Sequence, residues 1–314
     1  MRIRGIIHRT DLPGHDISQK QLAEWLRSGA VQSMQPWYLT SEAPADLVSI
    51  LRTGTRPTCL DAAALHGLWV PPSLKSVHVF RPRQGRGRRS AGRGRTTAPE
   101  AVPVPKATPV RRRKGKIVWG PEKTLPLSHH GPALRTWPSA HPVSDLSLVL
   151  EHAARCLPLS QAATLFESAL DRKELAPREA ERVISALPQR LRRGLARIRS
   201  DAGSGTETTV RWWFESLGVA VSTQVSIAGV GRVDLLLGQS WVIECDSREF
   251  HDNPEQYARD RARDLALQAL GYRVTRLTWK QVFVTWASTQ ERLLSILRRA
   301  DHHRPPDFRL SLTA

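Results

Sequence analysis

The sequence predicts an α/β (α+β) protein, and three patterns predict it. Residues 203–303 read as helix, three antiparallel strands, helix, strand, helix; the block from Thr124 to Pro188 repeats apolar side chains at helical spacing; and short alternating runs flank a basic stretch in the first half. At 314 residues the chain has room for roughly two or three domains with cores of their own. The composition shifts place expected boundaries at 1–52, 53–188 and 189–303, with a tail at 304–314.

In the first segment, SQKQLAEWLRSG (Ser18 to Gly29) reads as one short helix. Ser18 can cap its start, Leu22, Trp25 and Leu26 form an apolar stripe, and Gly29 ends it. The AVQSMQPWYLT that follows reads as a small β-wing, and a helix followed by a wing is how winged helix-turn-helix domains are built. Lys20 on that helix is then a candidate phosphate contact.

KSVHVF (Lys75 to Phe80) and KIVWG (Lys116 to Gly120) alternate like short strands. The span 81–116 between them holds thirteen Lys and Arg against the single acid Glu100, twelve of the eighteen net positive charges. With few branched side chains it cannot bury enough surface to offset its ordering entropy, so it is expected to be a disordered basic loop inserted within one domain. Arg86, Arg88, Arg89, Arg111, Arg112 and Arg113 are the residues expected to hold phosphates without sequence preference.

The middle block is expected to be mostly helical scaffold. SDLSLVLEHAARCL and QAATLFESALDRKEL carry helical periodicity, and APREAERVISAL places Pro177 near a first turn. His129, His130, His141 and His152 lack metal-ligand spacing and read as loop or surface histidines. Cys59, Cys156 and Cys245 stand far apart with no CxxC pair, which argues against a disulfide framework and against a zinc site, and fits a reducing cytosol.

The last third carries the acids. GSGTETTVRWWFESLG reads as a helix with a Ser204/Glu207 capping box, VAVSTQVSIAGVGRVDLLL as two strands around a glycine turn, SWVIECD as a third. PEQYARDRARDLALQALG is the next helix, YRVTRLTW the last strand, and the final helix lies around Thr289 to Arg298. Alternation puts Trp241, Ile243 and Cys245 on one face and Val242, Glu244 and Asp246 on the other. If Leu237 pairs with Trp241 across a three-residue loop, Asp234 faces Glu244. Two facing carboxylates repel unless a proton or a cation lies between them, and no lysine or arginine at these strand positions compensates. A hard divalent cation such as Mg²⁺ (or Mn²⁺) fits that oxygen-rich pair.

On these residues the segment 203–303 resembles the PD-(D/E)XK nuclease superfamily, in the branch similar to very-short-patch-repair (Vsr-like) endonucleases. The matching positions are Glu207 in GSGTET, Asp234 in GRVDLLL, Glu244 and Asp246 in IECDSREFH, His251, and Asp260 with Arg263 in YARDRARD. The resemblance implies a restriction-endonuclease-like sandwich around a mixed sheet and metal-dependent hydrolysis of DNA phosphodiesters. It implies that Asp234 and Glu244, with Asp246, hold the cation. The superfamily's lysine after the Glu is absent and Asp246 stands in its place. His251 would take a water's proton or position the phosphate. Glu207 would complete the metal shell through water or act only as a helix cap, with Arg211 as its i+4 partner. Asp260 and Arg263 would meet the phosphate or pair on a solvated helix face.

CLDAAALHGLWVPPSLKSVHVFRPR, with the helix and wing before it, resembles the N-terminal half of AbiEi-type antitoxins, which implies DNA binding by a winged helix-turn-helix. The net charge of +18 and a pI near 11.0 agree with a polyanionic partner, and no stretch approaches the ~20 apolar residues of a spanning helix. The expectation is a cytoplasmic DNA endonuclease, with DNA and a second copy in a homodimer as partners and no membrane. Its rivals are a regulator whose nuclease-like domain is inactive, and an enzyme acting on RNA.

Overall fold

The computed structural model of the chain describes residues 1–72, 76–81, 101–104, 109–113, 116–119, 123–131, 140–246 and 254–306. It divides into two units, Met1–Gly67 with Ser73–Cys156, and Leu68–Pro72 with Leu157–Ala314. That division falls at 156/157, away from the boundaries at 52 and 188 that the composition predicts. In the second unit Glu167, a fully buried acid on the helix after the division, ties that helix to Arg199, Thr208 and Trp212.

In the first unit, β1 (Ile6–His8), α1 (Gln19–Ser28), β2 (Gln32–Met34) and β3 (Trp37–Leu39) come first, and the strands form an antiparallel sheet in the order β1-β3-β2. Ser18 accepts a hydrogen bond from the Gln21 amide while the Gln21 side chain accepts one from the Ser18 amide, and Gly29 closes α1 at φ +76°. Lys20 is exposed on this helix. The apolar stripe is poorly covered, with Trp25 and Leu26 each 37% exposed, so α1 contributes little to a core.

After α2 (Ala45–Arg52), β4 (Arg56–Pro57) and α3 (Cys59–Leu65), a second sheet runs β4-β5-β9-β6, built from β5 (Val77–Phe80), β6 (Ala101–Val104) and β9 (Lys123–His130). β5 and β9 are parallel neighbours, while β7 (Pro109–Arg113) and β8 (Lys116–Trp119) make a separate hairpin. Ile50, Val77 and Val79, with Leu125 and Leu127, form the apolar layer of this sheet. α4 (Leu146–Cys156) packs on α3 and ends the unit.

Three expectations change here. Within 81–116 the backbone is extended and paired at 101–104 and 109–113, so the span is not wholly without order; the other parts of the insert, Arg86, Arg88 and Arg89 included, lie outside the described residues. Arg111, Arg112 and Arg113 fall on β7. The block from Thr124 opens with a strand, because β5 offers TLPLSHH a parallel partner that outweighs any local helical tendency. Nor are all the histidines loop or surface residues: His129 is exposed, but His152 is fully buried in α4 and His130 is half-buried on β9.

The second unit begins with α5 (Leu159–Asp171), α6 (Pro177–Ser185) and α7 (Gln189–Leu195), with Pro177 in the first turn as expected. α8 (Gly205–Ser216) starts at Ser204, whose hydroxyl accepts from the Glu207 amide. β10 (Val221–Ile227), β11 (Gly231–Leu237), β12 (Trp241–Asp246), α9 (Pro254–Ala269) and β13 (Arg273–Thr278) follow, then α10 (Trp279–Phe283) and α11 (Trp286–Leu297). The sheet order is β10-β11-β12-β13, antiparallel except for the parallel β12–β13 pair. One face packs Leu235, Leu237, Trp241, Ile243 and Cys245 against Val210 and Phe214 of α8; the other packs Val242 against Leu267 of α9. This mixed sheet between helices is the architecture the strand and helix periods predicted.

Candidate functional site

The β11–β12 hairpin sets the geometry. Leu237 pairs with Trp241, leaving Gly238, Gln239 and Ser240 as the loop, and Gly238 takes φ +57°, a conformation that favours glycine. The His302 carbonyl also approaches so closely that a Cβ at Gly238 would strike it. The ladder continues through Leu236↔Val242 to Leu235↔Ile243 and stops before Asp234. On the other side of β11, Thr223 pairs with Leu235 and Val225 with Val233, while the intervening Gln224/Asp234 step is missing and Gln224 stands at φ +52°. The distortion swings Asp234 toward β12, where its Oδ2 accepts from the Cys245 amide at 2.8 Å. The Asp234 carboxyl lies close enough to Glu244 for the two acids to interact.

Glu207 comes to the same place from α8. Its Oε2 accepts from the Gln224 amide nitrogen at 2.7 Å and from the Gly203 backbone at 3.1 Å. Its i+4 neighbour Arg211 turns away and pairs with Glu167 and Glu215, which corrects the expected Glu207–Arg211 pair. Burial and then the nearby Asp234 push Glu207 up to about 7. Burial and then the charge of Asp234 hold Glu244 well above the usual carboxylate range.

The expected lack of compensating cations is overturned. Arg276, on β13, lies opposite Glu244 in the parallel register, and Arg263 of α9 brings Nη2 to 3.0 Å from Glu244 Oε1. That approach lacks hydrogen-bond alignment; Arg263 Nη2 donates instead to the Arg232 carbonyl, and Glu244 Oε1 has no hydrogen-bond partner among the described residues. Asp246 is held by Arg276 Nη1 at 3.0 Å, and the rest of that guanidinium grips Asp264. The sequence reading weighed only the two acid-bearing strands, whereas the neighbouring strand and the helix deliver both arginines.

Of the residues singled out by sequence, Asp234 lies near both Glu207 and Glu244, with Arg263 beside Glu244 and Asp246 beside Arg276. Asp260 stands half-buried on α9; His251 lies outside the described residues. Sequence reasoning missed Gln224, Asp264 and Arg276. Arg276 had a signal: alternation in YRVTRLTW puts it on the face of Val274, where an apolar residue is the default. Among the described residues no three carboxylates bring ligand oxygens within 4.8 Å of one another; the group that meets that spacing is Cys59, His78, His130 and Cys156 in the first unit, and it could hold a metal ion.

The raised acids make a pH prediction. A carboxyl with a folded pKa above its ordinary 4.5 binds protons more tightly in the native state. Its stabilising contribution is therefore complete below about pH 4.5 and is lost as pH rises through the folded value, near 7 for Glu207. Without added metal, the Tm should fall between pH 5 and 8, and Glu207→Gln with Glu244→Gln should flatten that fall in a thermal-unfolding series. A slope unchanged by both substitutions contradicts the assignment.

No family model and no curated protein matches this chain. A solved structure titled "Crystal structure of RV2827C protein from Mycobacterium tuberculosis" is similar at 12% identity, covering 67% of this chain and 76% of that one, with a TM-score of 0.25. A likeness that loose supports no conclusion about fold or function.

Proposed function

We propose that the second unit is a metal-dependent endodeoxyribonuclease, in the restriction-endonuclease-like manner its sequence resembles, and that the first unit and the basic insert hold the DNA. The observation that supports this reading is that Asp234 lies near both Glu207 and Glu244 at a distorted point of the sheet, where Glu207 and Glu244 are buried. An all-oxygen donor set suits a hard divalent cation, Mg²⁺ or Mn²⁺, held by Asp234 and Glu244 with Asp246 nearby, once Arg263 leaves the Glu244 oxygen it now faces. Such an ion, when bound, polarises a phosphate oxygen and lowers the pKa of a water.

The chain's own residues have separate tasks. The Cys245 amide fixes Asp234, so its carboxylate is aimed before any ligand arrives. Gln224 and the Gly203 amide hold Glu207 in place. Arg263, 27% exposed and already beside Glu244, can leave that carboxylate for a phosphate oxygen, to which a guanidinium donates two parallel hydrogen bonds. Lys20 and the arginines of the insert add a salt-sensitive hold on the backbone of the nucleic acid.

A second reading, a DNA-binding regulator with an inert nuclease-like unit, is favoured by the same Arg263, whose charge sits where a cation would. Incubating purified protein with plasmid and Mg²⁺ or Mn²⁺ separates the two. Asp234→Asn and Glu244→Gln should each lower cleavage about 10²-fold or more, and Arg263→Ala should lower it too. Binding without cleavage under either metal supports the regulator. Cleavage that survives both acid substitutions refutes the site.

A further inference from the structure

We propose that the first unit contains a structural zinc site made by Cys59, His78, His130 and Cys156. The four ligand atoms lie within 4.8 Å of one another: His78 Nδ1 is 2.9 Å from His130 Nε2 and 3.7 Å from Cys156 Sγ, and Cys59 Sγ completes the group. Zn–S bonds of about 2.3 Å and Zn–N bonds of about 2.0–2.1 Å in a tetrahedron put neighbouring ligands roughly 3.3–3.8 Å apart. The observed separations bracket that range, so a zinc ion needs only small side-chain adjustments.

The fold explains why four residues so distant in sequence meet. β4 and β5 are antiparallel, and the Thr58 amide donates to the His78 carbonyl, which carries Cys59 to the edge of His78. β5 and β9 are parallel with His78 opposite Ser128; two residues on, His130 lies on the same face. α4 packs on α3 and delivers Cys156 from its last turn. Cys59 itself is fully buried and held at φ +49°, a conformation that a β-carbon disfavours.

The surroundings are those of a ligand shell. The His130 ring lies with Nε2 facing His78 Nδ1, so its other ring nitrogen is left for a neighbouring group. The His152 ring stacks near His130 at 5.5 Å and is tied through Nδ1 to the Thr58 hydroxyl at 2.8 Å. Two thiolates and two neutral imidazoles around Zn²⁺ carry no net charge, which makes the burial of Cys59 and His78 tolerable. With four protein ligands and no open position, the ion is structural, pinning α3, α4 and the two strands that bracket residues 81–122.

The test uses the full chain purified without chelator. Elemental analysis should find one zinc per chain, and Co²⁺ exchanged for it should give the intense visible bands of tetrahedral thiolate coordination. Cys156 is exposed, so Cys156→Ser should fold and yet bind zinc about tenfold more weakly or worse; EDTA should lower the Tm of the parent and not of the variant. Asp234→Asn should keep its zinc, which separates this site from the acids of the second unit. A folded parent without zinc that takes up no Co²⁺, or a non-reduced mass about 2 Da low from a Cys59–Cys156 disulfide, overturns the proposal.

Discussion

Glu167→Ala should cost the protein about 3–5 kcal/mol, the range for breaking a buried ion pair from one side. Glu167 on α5 is fully buried and accepts from four groups: the Arg211 guanidinium, the Thr208 hydroxyl at 2.8 Å, the Trp212 indole at 3.2 Å and the Arg199 amide at 3.1 Å. Arg211 is 1% exposed, so its charge would remain inside, paired only with Glu215, and three further donors would lose their acceptor. In urea, the midpoint of the transition should fall with little change in slope. Joint replacement of Glu167 and Arg211 by Met should cost less than either alanine variant alone, because no unpaired charge is then left behind. A single-site loss under about 1 kcal/mol would contradict the buried pair.

Trp241→Ala should be comparably severe, about 3–5 kcal/mol. Trp241 is 1% exposed at the start of β12, set edge-on to Phe214 at 5.5 Å, and its indole donates to Thr275 on β13 at 3.0 Å. Deleting the ring empties the layer between α8 and the sheet and orphans a hydroxyl acceptor. Trp241→Phe should recover most of the loss, since it restores the aromatic contact and forfeits mainly the hydrogen bond. Because the strand ends in Glu244 and Asp246, the alanine variant should also lower the midpoint at which the acid site survives heating, read by the temperature dependence of any cleavage activity.

The second unit was legible because its signals were local. Period-two alternation, the glycine turns and Gly218 and Gly271 at the helix ends all lie within the elements they define, whereas the Leu237–Trp241 register was one of two that the sequence left open, and the structure takes it. What the sequence hid was lateral. Arg276 meets Glu244 only because β13 joins β12 in parallel, Arg263 only because α9 crosses that face, and the break at Gln224 has no composition signal at all. The His/Cys group was hidden for the same reason. Spacing rules work for ligands on one turn or one hairpin, and here β5 and β9, 52 residues apart at His78 and His130, are made neighbours by the sheet. The mixed helix-and-strand class could be read early; the partners of individual charged side chains could not.

The interruption at Gln224 also changes the free edge of the sheet. β10 is the outer strand of its sheet, and an outer strand with a regular row of free amides and carbonyls is a template for another chain. At φ +52° Gln224 turns its peptide groups out of that row, midway along a seven-residue strand. A neighbouring copy could align with at most a few residues on either side. The kink beside Asp234 therefore also shortens the regular edge that a neighbouring chain could pair with.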